Sequence, residues 1–179
     1  RIDEGGMGGR LYTTAGRHFT RLTSELNSHL AVHDDQVRMT GTNFHALIHA
    51  QPLHITYLSH VAAYQDDRTF NTHVLRWEPE MIIQFPEGIG HIPFLVPGSA
   101  DLMQATVGRM RQHKLVVWGK HGVVARSDTS VKRACDLIEY VETGARYEYL
   151  NLGNGEMGEG LTPEEIRAIV AAFGIAQTL

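Results

Sequence analysis

The chain has 179 residues, 42% of them hydrophobic and 20% charged, with a formal net charge of −4. That size and balance fit one globular domain over residues 1–179 with a sizeable core. They show no basic footprint for nucleic acid, and no apolar run reaches the roughly 18 residues a membrane helix needs. A single cysteine, Cys135, excludes an internal disulfide and fits a reducing, cytoplasmic setting. The chain opens on Arg1, so its N-terminal part is expected to be incomplete.

"RIDEGGMGGR" reads as a glycine-rich loop and "LYTT" (11–14) as a short strand. Leu22, Leu26 and Leu30 recur at helical spacing behind Thr23 or Ser24 as N-cap, which predicts a helix over about 24–36. "HALIH" (45–49) reads as a buried strand, with Pro52 opening a helix to about Ala63. "MIIQF" (81–85) reads as a strand, closed by the turn "PEGIG" and followed by "HIPFLV". Ser99 caps a helix over "ADLMQATVGRMRQH". "KLVVW" (114–118) and "GVVA" (122–125) are strands joined tightly by "GKHG". Asp128 opens a long helix to about Leu150, inside which Cys135 reads as a small buried packing residue. The glycines of "GNGEMG" (153–158) end it. They match G-x-G-x-x-G, but they follow a helix rather than a strand, so they read as a connection and not a dinucleotide loop. "TPEEIRAIVAAF" closes the chain, with a capping box of Thr162 and Glu165. Strands and helices mix without strict alternation, which predicts one layered α/β or α+β domain without internal repeats.

The unusual count is histidine, eleven in all. Glu25, His29 and His33 fall at i, i+4 and i+8 and share one face of the first helix. They form either a solvated stripe or a carboxylate aimed into a site from a helix N-terminus, where it could serve as a base. His49 and Gln51 would face the same way in extended chain, as a His-x-His metal pair would, with a weaker amide at the second position. His45 would lie roughly 13 Å from His49 along the strand and reads, with His60, as structural. His121 sits in a glycine-flanked turn between two apolar strands, where the backbone can approach another group closely.

"LTSELNSHLAVH", "LIHAQPLHITYL", "FPEGIGHIPFLVPGSADLMQATVGRM" and "LVVWGKHGVVA" resemble, in order and spacing, the class II aldolase/adducin family, above all its members that cleave L-rhamnulose 1-phosphate. The resemblance runs from about residue 11 to the C-terminus. It implies an α/β fold with a central, mainly antiparallel sheet flanked by helices, and a cyclic homotetramer with active sites at subunit interfaces. It also implies a zinc-dependent (or other divalent-metal) lyase. Such an enzyme splits a ketose 1-phosphate into dihydroxyacetone phosphate and an aldehyde, here lactaldehyde.

By the same resemblance Glu25 is the base and Glu80 assists proton transfer at the aldehyde end. Gly16 of "TTAG", Thr23 and Ser24 hold the substrate phosphate. His49, His121 and Gln51 hold the metal, with Gln51 standing where the family carries a histidine. Through that substitution the third ligand stays open between Gln51, His54, Glu25 and a water. The partner expected is a small sugar phosphate, with neither nucleic acid nor membrane. Two other functions fit the family: an aldolase-like lyase, epimerase or decarboxylase on another small sugar or sugar acid, and a non-catalytic, adducin-like oligomeric binding module.

Overall fold

The structure, a computed structural model, describes residues 15–16, 21–42 and 44–177. The expected glycine-rich loop and the strand at 11–14 lie outside these. Helix α1 (Leu26–Thr40) leads to strand β1 (Ala46–Ala50) and the short helix α2 (Leu53–Leu58). Helices α3 (Asp67–Val74) and α4 (Pro79–Gln84) precede strand β2 (Gly90–Ile92) and helix α5 (Ala100–Met110). Strands β3 (Leu115–Trp118) and β4 (Gly122–Ser127) form a hairpin, followed by the long helix α6 (Val131–Gly153) and helix α7 (Pro163–Phe173).

The four strands form one sheet in the order β1-β4-β3-β2. Two of its three pairings are antiparallel and only β2 runs parallel to β3, so the sheet is mainly antiparallel as expected. Side-chain alternation splits it into two apolar faces. Leu115, Val117, Val123 and Ala125 pack with Leu137, Val141 and Ala145 of α6 and with Phe70 and Met81 of α3 and α4. Val116, Trp118 and Val124 face Val32 of α1 and Leu102 and Met110 of α5. Each fully buried valine, leucine, phenylalanine or methionine among them contributes roughly 1.5–3 kcal/mol. The result is a three-layer sandwich of helices, sheet and helices.

Several local expectations hold. Ser99 Oγ accepts from Leu102 N at 3.1 Å at the start of α5, and Thr162 and Glu165 close the capping box of α7. Others are corrected. "MIIQF" is not a strand: Pro79 opens a helix there, and Met81, Ile82 and Phe85 are buried from one helical face. The residue capping α1 is Glu25, not Thr23 or Ser24, and its side chain makes no cap bond. Helix α2 ends at Leu58, and a 3-10 turn at Ala62–Tyr64 follows instead of further α-helix. Ser130, rather than Asp128, caps α6 by accepting from Arg133 N at 3.0 Å. Cys135 is exposed.

The histidine stripe of α1 is not solvated; it lies against β1. His33 Nδ1 and His45 Nδ1 are 2.8 Å apart, and the His45 side chain is only 2% exposed. One of two neutral imidazoles donates to the other here, and a second proton would set two donors face to face. Burial pushes both histidines below their ordinary value, and at His45 the neighbouring His33 adds to that. A depressed folded pKa means that this contribution to stability is complete above pH 6.5 and is lost as pH falls through the folded values. The melting temperature between pH 7.5 and 5 should therefore fall more in the wild type than in His45→Gln. The expected difference is about 2–4 °C, the equivalent of roughly 1 kcal/mol in a domain of this size. Parallel melting profiles for the two proteins would refute the assignment.

Candidate active site

His49 and His121, two of the residues marked by the sequence, meet at one end of the sheet. His49 is next to last in β1 and pairs in register with Val124. Its ring faces the α1–α5 layer and lies 4.6 Å from the ring of Trp118, centroid to centroid. His121 sits in the hairpin turn after Trp118, its ring 4.9 Å from His49 and 5.2 Å from Trp118. Two histidines 72 positions apart in sequence thus share one indole wall. The indole is fixed from behind, where Trp118 Nε1 donates to Thr106 Oγ1 at 2.9 Å.

Gly122 allows this approach. A β-carbon there would lie 2.4 Å from the carbonyl oxygen of Ala50, 3.1 Å from Cγ of Gln51 and 3.2 Å from Cε1 of His49. Only glycine lets the hairpin turn close on the end of β1, and the same contacts show that Gln51 reaches this corner.

His49 Nδ1 lies 3.0 Å from the carbonyl oxygen of Val123. A carbonyl only accepts, so Nδ1 carries the proton and the neutral ring presents its lone pair at Nε2. Burial, and then the neighbouring His121, push His49 below the ordinary histidine value, against the opposing pull of the Val123 bond and of Glu25. His121 Nδ1 is buried with no hydrogen-bond partner among the described residues. A buried, unpaired ring nitrogen is costly unless something binds it.

Glu25 is 3% exposed. Its Oε2 accepts from the backbone N–H of Gly98 at 3.0 Å, and its Oε1 from Ser24 Oγ at 3.3 Å. The loop that supplies Gly98 is in turn held by Asn27 Nδ2, which donates to the carbonyl of Gly98 at 2.9 Å. Gly98 has φ of 73°, and a β-carbon on it would lie 3.0 Å from the Ser24 carbonyl oxygen. Glu25 lies within electrostatic reach of His49 and of His29.

The remaining expected site residues divide. Thr23 and Ser24 are exposed and directly precede Glu25, with Thr23 Oγ1 accepting from Glu25 N at 3.3 Å. Gly16 is left-handed, with φ of 87°, and Thr13 and Thr14 beside it lie outside the described residues. Glu80 is exposed on α4, in the helical layer across the sheet from Glu25. His54 faces α6: its Nδ1 meets Glu142 Oε1 at 2.7 Å, the same carboxylate accepts from the backbone of His54 and Ile55 at the start of α2, and its ring lies 5.3 Å from that of Tyr149. Trp118, Asn27 and Gly98 were not marked by the sequence, because their roles come from tertiary contact alone.

Among the described residues no group of three or more His, Cys, Asp or Glu side chains stands ready to hold a metal ion. The donor set is two imidazoles, one with an unpartnered buried nitrogen, and the amide of Gln51. Such donors fit a borderline ion such as zinc, with a neutral oxygen in place of a third nitrogen. A cavity of about 820 Å³ opens elsewhere, between α3, α4 and α7, over Leu75, Ile82 and Ile166. None of the cluster residues lines it, and two of its three acids, Asp67 and Glu87, are engaged by Arg109 and Lys114. Chemistry rather than volume therefore marks Glu25, His49 and His121 as the candidate site.

Residues 7–149 match the family described as class II aldolase and adducin N-terminal domain. The chain belongs to the class II aldolase and adducin family. It is 30% identical over 153 residues to rhamnulose-1-phosphate aldolase of Klebsiella pneumoniae (strain 342), covering 86% of this chain and 55% of that protein. It is 32% identical over 155 residues to the enzyme of the same name from Enterobacter sp. (strain 638), with the same coverage. The chain thus spans about half the length of the curated relatives it matches. Among solved structures, a sugar-phosphate aldolase from Thermotoga maritima superposes with a TM-score of 0.63 at 30% identity, over 74% of this chain and 55% of that one. L-fuculose-1-phosphate aldolase from Thermus thermophilus shares the fold, with a TM-score of 0.56 at 20% identity over 78% of this chain and 66% of that one. The class II aldolase fold expected from the sequence is the one observed. Among the described residues no helix is long and apolar enough to cross a membrane.

Proposed function

We propose that the chain is the aldol-cleaving part of a divalent-metal-dependent lyase. Its substrate is a ketose 1-phosphate such as L-rhamnulose 1-phosphate, and its products are dihydroxyacetone phosphate and lactaldehyde. The observation that carries this reading is the His49–His121 pair, whose rings lie 4.9 Å apart with a buried, unpartnered nitrogen on His121, within electrostatic reach of the buried Glu25 carboxylate. His49, His121 and Gln51 would hold the ion. When bound, it would supply Lewis acidity for the substrate carbonyl and for the charge that builds up on cleavage.

The chain's own groups do the rest. Cleavage passes the proton of the C4 hydroxyl to the Glu80 carboxylate at the aldehyde end, breaks C3–C4, releases the aldehyde and leaves the electron pair delocalised as the enediolate. Glu25, in its acid form, then gives its proton to C3 to yield dihydroxyacetone phosphate, and it takes that proton back in the synthetic direction. The hydroxyls of Thr23 and Ser24 and the backbone around Gly16 hold the phosphate. Glu80, exposed on the opposite layer, serves the aldehyde end of a neighbouring subunit in a homotetramer.

The reading is tested by elemental analysis of the purified protein and of His121→Ala, followed by cleavage assays on a panel of ketose 1-phosphates. A near-stoichiometric divalent ion is expected in the wild type, lost together with turnover in the variant. A protein that holds no ion after incubation with zinc would refute the lyase reading and favour a binding module.

A further inference from the structure

Lys120 carries a charge that no other described side chain uses. It stands between Gly119 and His121 at the tip of the β3–β4 hairpin, with φ of 61°. That is the left-handed region, where glycine or asparagine is the usual occupant and a lysine is strained. Among the described residues only one other non-glycine residue, Glu156, has positive φ. The conformation is imposed from outside the turn. Lys120 N donates at 2.8 Å to Oγ of Ser59, a fully buried residue whose hydroxyl donates in turn to the Thr56 carbonyl at 2.6 Å. His121 N closes the turn by donating to the Trp118 carbonyl at 2.9 Å.

The backbone of Lys120 is thus fixed against α2, while its side chain is exposed and has no ion pair or hydrogen bond among the described residues. Its Cα is one peptide unit, about 3.8 Å, from that of His121. Its flexible stem can therefore bring an ammonium to a ligand held beside that imidazole. The other groups at this corner are a carboxylate, an amide, two imidazoles and an indole, none of which is a permanent cation. Arg109 and Arg126 are turned to Asp67 and Asp128. Strain kept at a site by its surroundings, at a residue with a free charge, is a sign of use.

We propose that Lys120 is an anion-binding side chain of the His49–His121 site, where its ammonium pairs with one oxyanion of the bound sugar derivative, either the phosphate that Thr23, Ser24 and Gly16 also hold or the carboxylate of a sugar acid. The inference rests on the lyase reading and adds the charge of the substrate group beside the histidines.

The test is calorimetric titration of the zinc-incubated full chain with inorganic phosphate and, separately, with glycolate. The wild type, Lys120→Met, Lys120→Arg and Lys120→Gly are compared, with metal content measured alongside. The wild type should bind at least one anion. Lys120→Met should bind it at least about tenfold more weakly, and Lys120→Arg within about threefold of the wild type. Lys120→Gly relieves the turn, so it should lose affinity as Lys120→Met does while melting no lower than the wild type. Preference for phosphate would identify the group as the sugar phosphate, and preference for glycolate as a sugar acid. Equal affinity in the wild type and Lys120→Met, or no anion bound by the wild type, would overturn the proposal. Turnover is not part of the readout, so a failure of the lyase reading would show separately, as absent cleavage with anion binding intact.

Discussion

Glu148→Ala is expected to lower the melting temperature by on the order of 10 °C, the equivalent of roughly 3–5 kcal/mol. Glu148 lies on α6 and is 1% exposed. Its Oε1 accepts from Tyr64 OH at 2.5 Å and meets His73 Nδ1 at 3.0 Å; its Oε2 accepts from Arg76 and from Trp77 Nε1, each at 2.9 Å. Burial alone would push the Glu148 carboxyl up, but the bonds from Tyr64, Arg76 and Trp77 outweigh it and hold the group below the ordinary carboxylate range. Burial, and then the same contact, hold the Tyr64 hydroxyl well above its usual range. Truncation to alanine would leave a guanidinium and three further donors facing an empty pocket, which is why the cost exceeds that of a surface ion pair. Glu148→Gln preserves the shape but turns an NH2 toward two of the four donors, so an intermediate loss is expected. Thermal unfolding followed by circular dichroism measures both variants. A shift under about 2 °C for the alanine would show that the network does not join α6 to the α3 segment as described.

Such a hub is invisible in the sequence. A glutamate in the polar stretch of a long helix reads as solvated, and its four donors lie 71–84 positions upstream. What periodicity and capping encode locally was legible: the capping box of α7, the Ser99 cap of α5, and the β3–β4 hairpin with its tight turn. Short apolar runs were not. "MIIQF" suits either a strand or one face of a helix, and the proline two residues before it decides for the helix. Cys135 was misplaced because α6 buries Ala134, Leu137, Ile138 and Val141, one position away from the cysteine on the helical wheel. At the site, Glu25, His49 and His121 stood out as residue types that carry chemistry. Trp118 and Gly98 did not, since an indole wall and a backbone donor gain meaning only once strands and loops have met.

Glu25→Gln is expected to lower kcat for aldol cleavage by about 10²–10⁴ while changing KM and metal content little. The amide keeps an oxygen for Gly98 N, so the loop before α5 and the start of α1 should stay in place, and the melting temperature should move little. What the amide lacks is the ability to carry a proton between C3 and solvent. The decisive readout is therefore the half-reaction: exchange of the C3 hydrogen of dihydroxyacetone phosphate with deuterium from solvent, followed by NMR without any aldehyde. The wild type should exchange it and Glu25→Gln should not. The structure gives Glu25 a second role, as the acceptor that anchors Gly98, and the two roles separate in this experiment. If Glu25→Gln exchanges deuterium at the wild-type rate, the carboxylate serves only to hold the loop, and the proton must move through another group of the cluster. If exchange stops while the protein melts normally and binds its metal, the buried carboxylate is the base, and its burial within electrostatic reach of His49 follows from the reaction rather than from packing.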